Sequence, residues 1–208
     1  PVRSPEAIDA DAVILATPAG AAARLLGGVS AVASAELATI EYASMAVVTM
    51  AYRVADVPAL TGSGLLVPPV DGRAVKAATF SAVKWDWVGK AGRVGRGRDG
   101  VVVLRASLGR HGEEGSLHVD DARLVARAHA DLADAVGLRG EPVEGLVTRW
   151  GGALPQYAVG HRARVARVRE AVGELPGLAV AGAELDGVGI AACIGTATHA
   201  AGRVGRWL

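Results

Sequence analysis

A lone cysteine, Cys193, leaves this 208-residue chain unable to form an internal disulfide or a cysteine-built metal site. Aromatic residues make up only 4% of it, and phenylalanine occurs once, as Phe80. So few rings offer little to stack on bases, and a formal net charge of +1 creates no field for a polyanion. Nucleic acid is therefore not an expected partner. No apolar run approaches the ~20 residues of a membrane span, and the opening residues do not read as a secretory signal. Pro1 to Asp11, without an initiating Met, reads as the interior of a longer chain, so a fragment is expected. The side-chain groupings that carry acid–base or nucleophilic chemistry are also missing. There are no paired carboxylates, no Ser/His/Asp order and no cysteine nucleophile, so no catalytic residue is assigned. His111 and His118 sit in a polar Gly/Glu loop without helical i, i+4 partners, and His129 reads as a surface or partly buried side chain. No metal site is expected.

What is present is small and apolar. About half the residues (51%) are hydrophobic, mostly Ala and Val, enough for one large domain or two small ones. Ala12 to Ala16 reads as a continuous apolar strand. Thr17 is expected to cap the helix Ala19 to Leu26, with Pro18 at its first position. Ser34 to Leu37 opens another short helix. Ser44 to Val54, Leu65 to Val67, Val75 to Phe80 and Val101 to Ser107 read as strands joined by short loops, hence an antiparallel or mixed sheet. Val119 to Val136 has the clearest helical periodicity, with Leu124, Val125, Ala128, Leu132, Ala135 and Val136 on one stripe and Gly137 as its stop. Val143 to Trp150 returns as a strand, and a basic helix runs from about Arg162 to Val172.

Gly95-Arg96-Gly97-Arg98-Asp99-Gly100 has the spacing of a dinucleotide fingerprint in the wrong setting. A phosphate-binding loop needs a strand before it and a helix after it. Here an arginine-rich loop leads into a strand, so a hairpin connection is expected instead. Arg93, Arg96 and Arg98 then belong to a solvated loop, and Arg162, Arg164, Arg167 and Arg169 to the outer face of a helix.

The last thirty residues carry the strongest pattern. Leu178 to Ala181 is a short buried strand, Gly182 ends it, and Gly187 and Gly189 make a side-chain-poor turn. From Ile190 small and apolar residues recur at helical spacing through Cys193, Ala197, Ala200, Ala201 and Val204, with Arg203 and Arg206 in the last turn. Cys193 is expected to be a buried, inert thiol. A strand, a glycine turn and a slim helix let a flat or anionic cofactor approach backbone N–H groups. Close helix–strand packing would use the same glycines.

Three segments then resemble one family in order and spacing. AGAELDGVGIAACI is similar to the C-terminal flavin motif of the protoporphyrinogen/coproporphyrinogen oxidases, within the flavin amine oxidase and phytoene desaturase group. PQYAVGH, Pro155 to His161, resembles that family's PQYxxGH, and Phe80 to Trp85 its FSSxKW. The opening DAVILATPAGAAARLL resembles the strand by which the family returns to its cofactor domain. Departures stand at Leu185, where the family usually has an aromatic, at Ala191, where it has a proline after GVGI, and at Ala82 and Asp86, where FSSxKWP loses a serine and its proline.

The resemblance implies an α/β fold with α+β character. A mixed or antiparallel-sheet substrate domain is inserted between segments of a Rossmann-like FAD-binding domain whose N-terminal part is missing. The expected division is residues 1–20 as a cofactor-domain segment, 21–170 as the substrate domain, and 171–208 as the C-terminal cofactor strand–turn–helix. The implied activity is FAD-dependent, oxygen-dependent oxidation of coproporphyrinogen III or protoporphyrinogen IX in heme biosynthesis. The implied flavin contacts are Gly182, Ala183, Val188, Gly189 and Ile190; Lys84 and Arg105 would hold substrate propionates. The implied partners are porphyrinogen and molecular oxygen in the cytoplasm, with a peripheral membrane contact and hand-over to the next heme-pathway enzyme left open. Another flavin oxidase or desaturase, acting on amines or carotenoids, and a non-catalytic flavoprotein remnant that binds a partner remain as alternatives.

Overall fold

The computed structural model describes residues 7–94 and 100–208. The rejected fingerprint at 95–99, with Arg96 and Arg98, and the side chain of Arg93 lie outside the described residues, as do residues 1–6. The chain forms two compact units, one from residues 1–41 and 155–208 and the other from Tyr42–Leu154. The architecture is mixed α/β, with a parallel strand pair in the first unit and an antiparallel sheet in the second. No helix among the described residues is long and apolar enough to cross a membrane.

In the first unit β1 (Val13–Leu15) pairs in parallel with β7 (Leu178–Val180), Ile14 lying opposite Ala179. Around the pair stand α1 (Ala19–Leu26), α2 (Ala31–Ala38), α6 (His161–Gly173), the single turn α7 (Ala183–Asp186) and α8 (Ile190–Gly205). Alanines at 19, 22, 23, 33, 179, 181 and 200 are buried, so backbones approach closely. Ser34 Oγ donates to the Ala23 carbonyl at 2.8 Å, tying α2 to α1.

Local signals set some boundaries differently from expectation. Thr17 does not cap α1: Pro18 is itself the N-cap, in an extended conformation (φ −51°, ψ 149°), and the helix starts at Ala19 without a side-chain cap. Thr17 Oγ1 is buried without a partner. Helix α2 begins three residues earlier than Ser34, because the Ser30 hydroxyl accepts the Ala33 N–H at 3.3 Å. The arginines of α6 are mostly paired rather than solvated. Arg167 grips Glu36 through Nε and Nη2 (2.5 and 2.9 Å), Arg164 stands 3.6 Å from the same carboxylate, and Arg169 meets Asp186 at 2.6 Å. Arg162 and Arg167 are exposed, whereas Arg164 and Arg169 are half-buried. Arg203, in the last turn of α8, donates to the carbonyls of Val172, Gly173, Leu175 and Leu178 at 2.8–3.2 Å. It satisfies the orphan acceptors at the end of α6.

In the second unit five strands lie in the order β3 (Gly64–Leu66), β4 (Val75–Phe80), β5 (Val101–Leu108), β2 (Tyr42–Arg53) and β6 (Glu144–Pro155). One face carries Val48, Met50, Tyr52, Phe80, Leu104 and Ala106, buried against α5 (Asp121–Val136) through Leu124, Ala128 and Leu132. The expected stripe holds there except at Ala135, which is exposed. Asp120 caps α5 by accepting the Arg123 N–H at 2.7 Å, and Gly137 closes it at φ 72°. His129 is partly buried, 3.1 Å from the Tyr52 hydroxyl through Nδ1 and 3.2 Å from Glu141 through Nε2. Burial holds the Tyr52 phenol well above the usual tyrosine range, with Glu141 adding to the effect. Two short helices, α3 (Ser81–Lys84) and α4 (Asp86–Val94), follow β4. The chain leaves the first unit at Glu41 and rejoins it beyond Leu154. There Gln156 N–H donates to the Glu41 carbonyl at 2.9 Å.

Candidate functional site

Ligands of α/β folds gather at the carboxyl ends of parallel strands. At that end of β1 and β7 the chain turns into α1 and, through Gly182 to Gly189, into α8. The glycine segment is not the featureless turn expected from sequence. It contains the helical turn α7, bracketed by Gly182 (φ 156°, ψ 174°) and Gly187 (φ 151°, ψ 154°). That region of backbone space is essentially reserved for glycine. A Cβ on Gly182 would also lie 2.4 Å from both carboxylate oxygens of Glu184.

Gly189 is the N-cap of α8 and offers no side chain to its first turn. A helix leaves its first four N–H groups without internal partners and carries a partial positive charge there. Around Gly189 a Cβ would meet nothing within 4 Å, so the approach is open. Val188 and Ile190 flank it with apolar surface exposed by 50% and 82%. Uncapped donors, open space and flanking apolar surface in one place fit the polar edge and flat body of a flavin ring. Ala183 is half-buried one turn earlier. The five expected cofactor residues thus share one segment of the first unit.

Two further features were not singled out in the sequence. Glu184 is buried, 4% exposed, within that segment. Burial raises its pKa above the ordinary glutamate value, and a bond from its own backbone N–H opposes the shift. Tyr157 and His161, quoted only as parts of a motif, reach α7 directly. The Tyr157 hydroxyl donates to the Ala183 carbonyl at 2.5 Å, and His161 Nε2 is 3.0 Å from the Leu185 carbonyl. Their ring centres lie 4.6 Å apart, the planes tilted by 39°, beside a cavity of about 700 Å3. No local signal would have found them, because the contacts span 24 to 26 residues. Cys193 is half-buried rather than buried, its Sγ 3.8 Å from the Gly187 carbonyl.

Lys84 and Arg105 lie in the second unit and on different elements. Both are exposed. The Lys84 ammonium sits 5.5 Å from the Trp85 ring centre. Arg105 projects from the sheet face opposite α5, between Thr49 on β2 and Thr79 on β4, its register partners.

The description of a flavin containing amine oxidoreductase matches residues 2–205. The chain belongs to that family. A coproporphyrinogen III oxidase of Mycobacterium tuberculosis is 42% identical over 195 residues, covering 92% of this chain and 39% of the relative. A bovine protoporphyrinogen oxidase is 30% identical over 206 residues, covering 95% of this chain and 41% of its own length. Among solved structures, a protein of Exiguobacterium sp. 255-15, provisionally named a protoporphyrinogen oxidase, superposes with a TM-score of 0.71 at 31% identity. That match covers 91% of this chain and 40% of the neighbour. The chain therefore spans about two fifths of the length of these relatives. The family resemblance read from FSAVKW, PQYAVGH and AGAELDGVGIAACI holds.

Proposed function

We propose that this chain serves an FAD-dependent, oxygen-using oxidase of coproporphyrinogen III in heme biosynthesis, contributing the flavin-ring wall and a substrate-facing sheet. The observation that carries the reading is the 42% identity along 92% of the chain to a coproporphyrinogen III oxidase. When bound, the flavin would accept electron pairs from bridging carbons of the porphyrinogen and return them to molecular oxygen. Gly182, Ala183, Val188, Gly189 and Ile190 line its ring in this reading. The uncapped N-terminus of α8 favours negative charge placed before it. Val188 and Ile190 exclude water from the ring face. Arg105, with the Thr49 and Thr79 hydroxyls beside it, and Lys84 offer donors for propionate groups.

The test uses the protein expressed from its natural reading frame and loaded with FAD. Coproporphyrinogen III in air is expected to give fluorescent coproporphyrin, and the same mixture without oxygen to give none beyond the bound flavin's own capacity. Porphyrin formed from neither coproporphyrinogen III nor protoporphyrinogen IX would overturn the proposal.

A further inference from the structure

We infer that Tyr157, His161 and Arg169 are positioning residues that hold α7 in place, and through it the α8 N-terminus that faces the flavin. The inference rests on the flavin reading above and adds residues to it that do not touch the cofactor.

The turn Ala183–Asp186 cannot hold itself. Four residues are far below the length at which a helix is stable alone. The glycines on either side have no steric preference of their own. A one-turn helix also leaves its carbonyls without internal partners. Something outside must fix both its position and its acceptors.

On one side that is α8. Gly182 N–H donates to Thr196 Oγ1 at 3.1 Å, Thr196 Oγ1 donates in turn to the Cys193 carbonyl at 2.9 Å, and the Cys193 thiol faces the Gly187 carbonyl. On the other side it is the segment from Tyr157 to Arg169. The Tyr157 hydroxyl takes the Ala183 carbonyl and His161 the Leu185 carbonyl. A carbonyl only accepts, so the proton of His161 resides on Nε2. Its Nδ1 is buried without a partner, and the ring is only 8% exposed. Packing rather than solvent therefore fixes its orientation, aided by the tilted Tyr157 ring against it. Arg169 closes the far end on the Asp186 carboxylate at 2.6 Å. The PQYAVGH and AGAELDGVG motifs are thus one structure, with α7 gripped between two partners.

Four variants of the FAD-loaded protein from the natural reading frame test this: Tyr157→Phe, His161→Leu, His161→Gln and Arg203→Met. The readouts are the flavin dissociation constant, the visible absorption of bound flavin and the melting temperature of the apoprotein. Loss of one hydrogen bond that positions the donors is expected to weaken flavin binding about fivefold in Tyr157→Phe and in His161→Leu, and to shift the flavin bands. His161→Gln, whose amide N–H can reach the same carbonyl, should restore both. Arg203→Met removes contacts at the other end of α8 and should lower the melting temperature with flavin binding and spectrum unchanged. If Tyr157→Phe and His161→Leu lose only thermal stability and bind flavin as the wild type does, the inference is overturned. Should His161→Leu fail to fold, Tyr157→Phe, which keeps the ring, decides alone. A wild-type protein unable to take up FAD would overturn the flavin reading itself, which is a separate result.

Discussion

At the scale of single residues, the carboxyl of Glu184 is a built-in cost inside the flavin-facing segment. It is 4% exposed, and burial raises its pKa. A raised native pKa means the folded state holds the proton more tightly than the unfolded chain does. Its contribution to stability is present below the ordinary glutamate value and is lost as pH rises through the native value. Glu184→Gln, neutral at every pH, should therefore melt higher than the wild type at about pH 7.5. The gain should shrink toward zero near pH 4, where the wild-type carboxyl also carries its proton. Thermal unfolding at the two pH values checks it, and an equal difference at both would refute the burial argument. Arg167 shows the opposite case on the same unit: its hydrogen bond lowers the pKa of Glu36, so that carboxylate supports the fold as an anion.

At the scale of elements, helix α5 supplies the side chains that cover the antiparallel sheet. Leu132 is fully buried there, with Leu124 and Ala128 on the same stripe. Leu132→Ala is expected to destabilise the protein by about 2–5 kcal/mol, through lost transfer energy and the cavity left behind. Denaturant unfolding measures it, and a change under about 1 kcal/mol would mean the site collapses around the smaller side chain. This helix was legible in sequence because period and stop agree, with Gly137 at its end and, Ala135 apart, the expected apolar residues facing the sheet. Strands β2, β4 and β5 were legible from their β-prone runs bounded by short loops. Helix α4 was not, since its Asp86 to Val94 sequence carries two glycines, Gly89 and Gly92, that read as loop residues. Turn α7 was hidden by its own glycines, which read as a loop until Tyr157 and His161 are seen to hold it. Strand β6 runs past Trp150 to Pro155 because Gly152 adopts φ 54° and stays in the sheet, its N–H meeting Ser44 Oγ at 3.0 Å.

At the scale of the whole molecule, contacts divide the chain at 41/42 and 154/155, whereas the sequence suggested cuts near 20 and 170. The difference lies in helices α1, α2 and α6: α6 packs on β7, α2 packs on α6, and α1 packs on α2. Glu36 and Arg167, paired between α2 and α6, lie 131 positions apart, so that packing leaves no local trace in the sequence. Two cores predict two cooperative units. In amide hydrogen exchange, Leu132→Ala should speed exchange in β2, β4 and β5, while Arg203→Met should do so in α6, β7 and α8. A variant that accelerates both units equally would show that they unfold as one. The hydrogen bond from Gln156 to the Glu41 carbonyl carries a consequence for chain architecture. The points where the first unit lends out its chain and takes it back are already clasped. Loop-closure entropy grows only slowly with length, so what lies between the clasped ends matters little to the unit that holds them. From the first unit's side, the whole antiparallel sheet is a cassette: it can lengthen, shorten or be exchanged while the backbone at the clasp keeps its course.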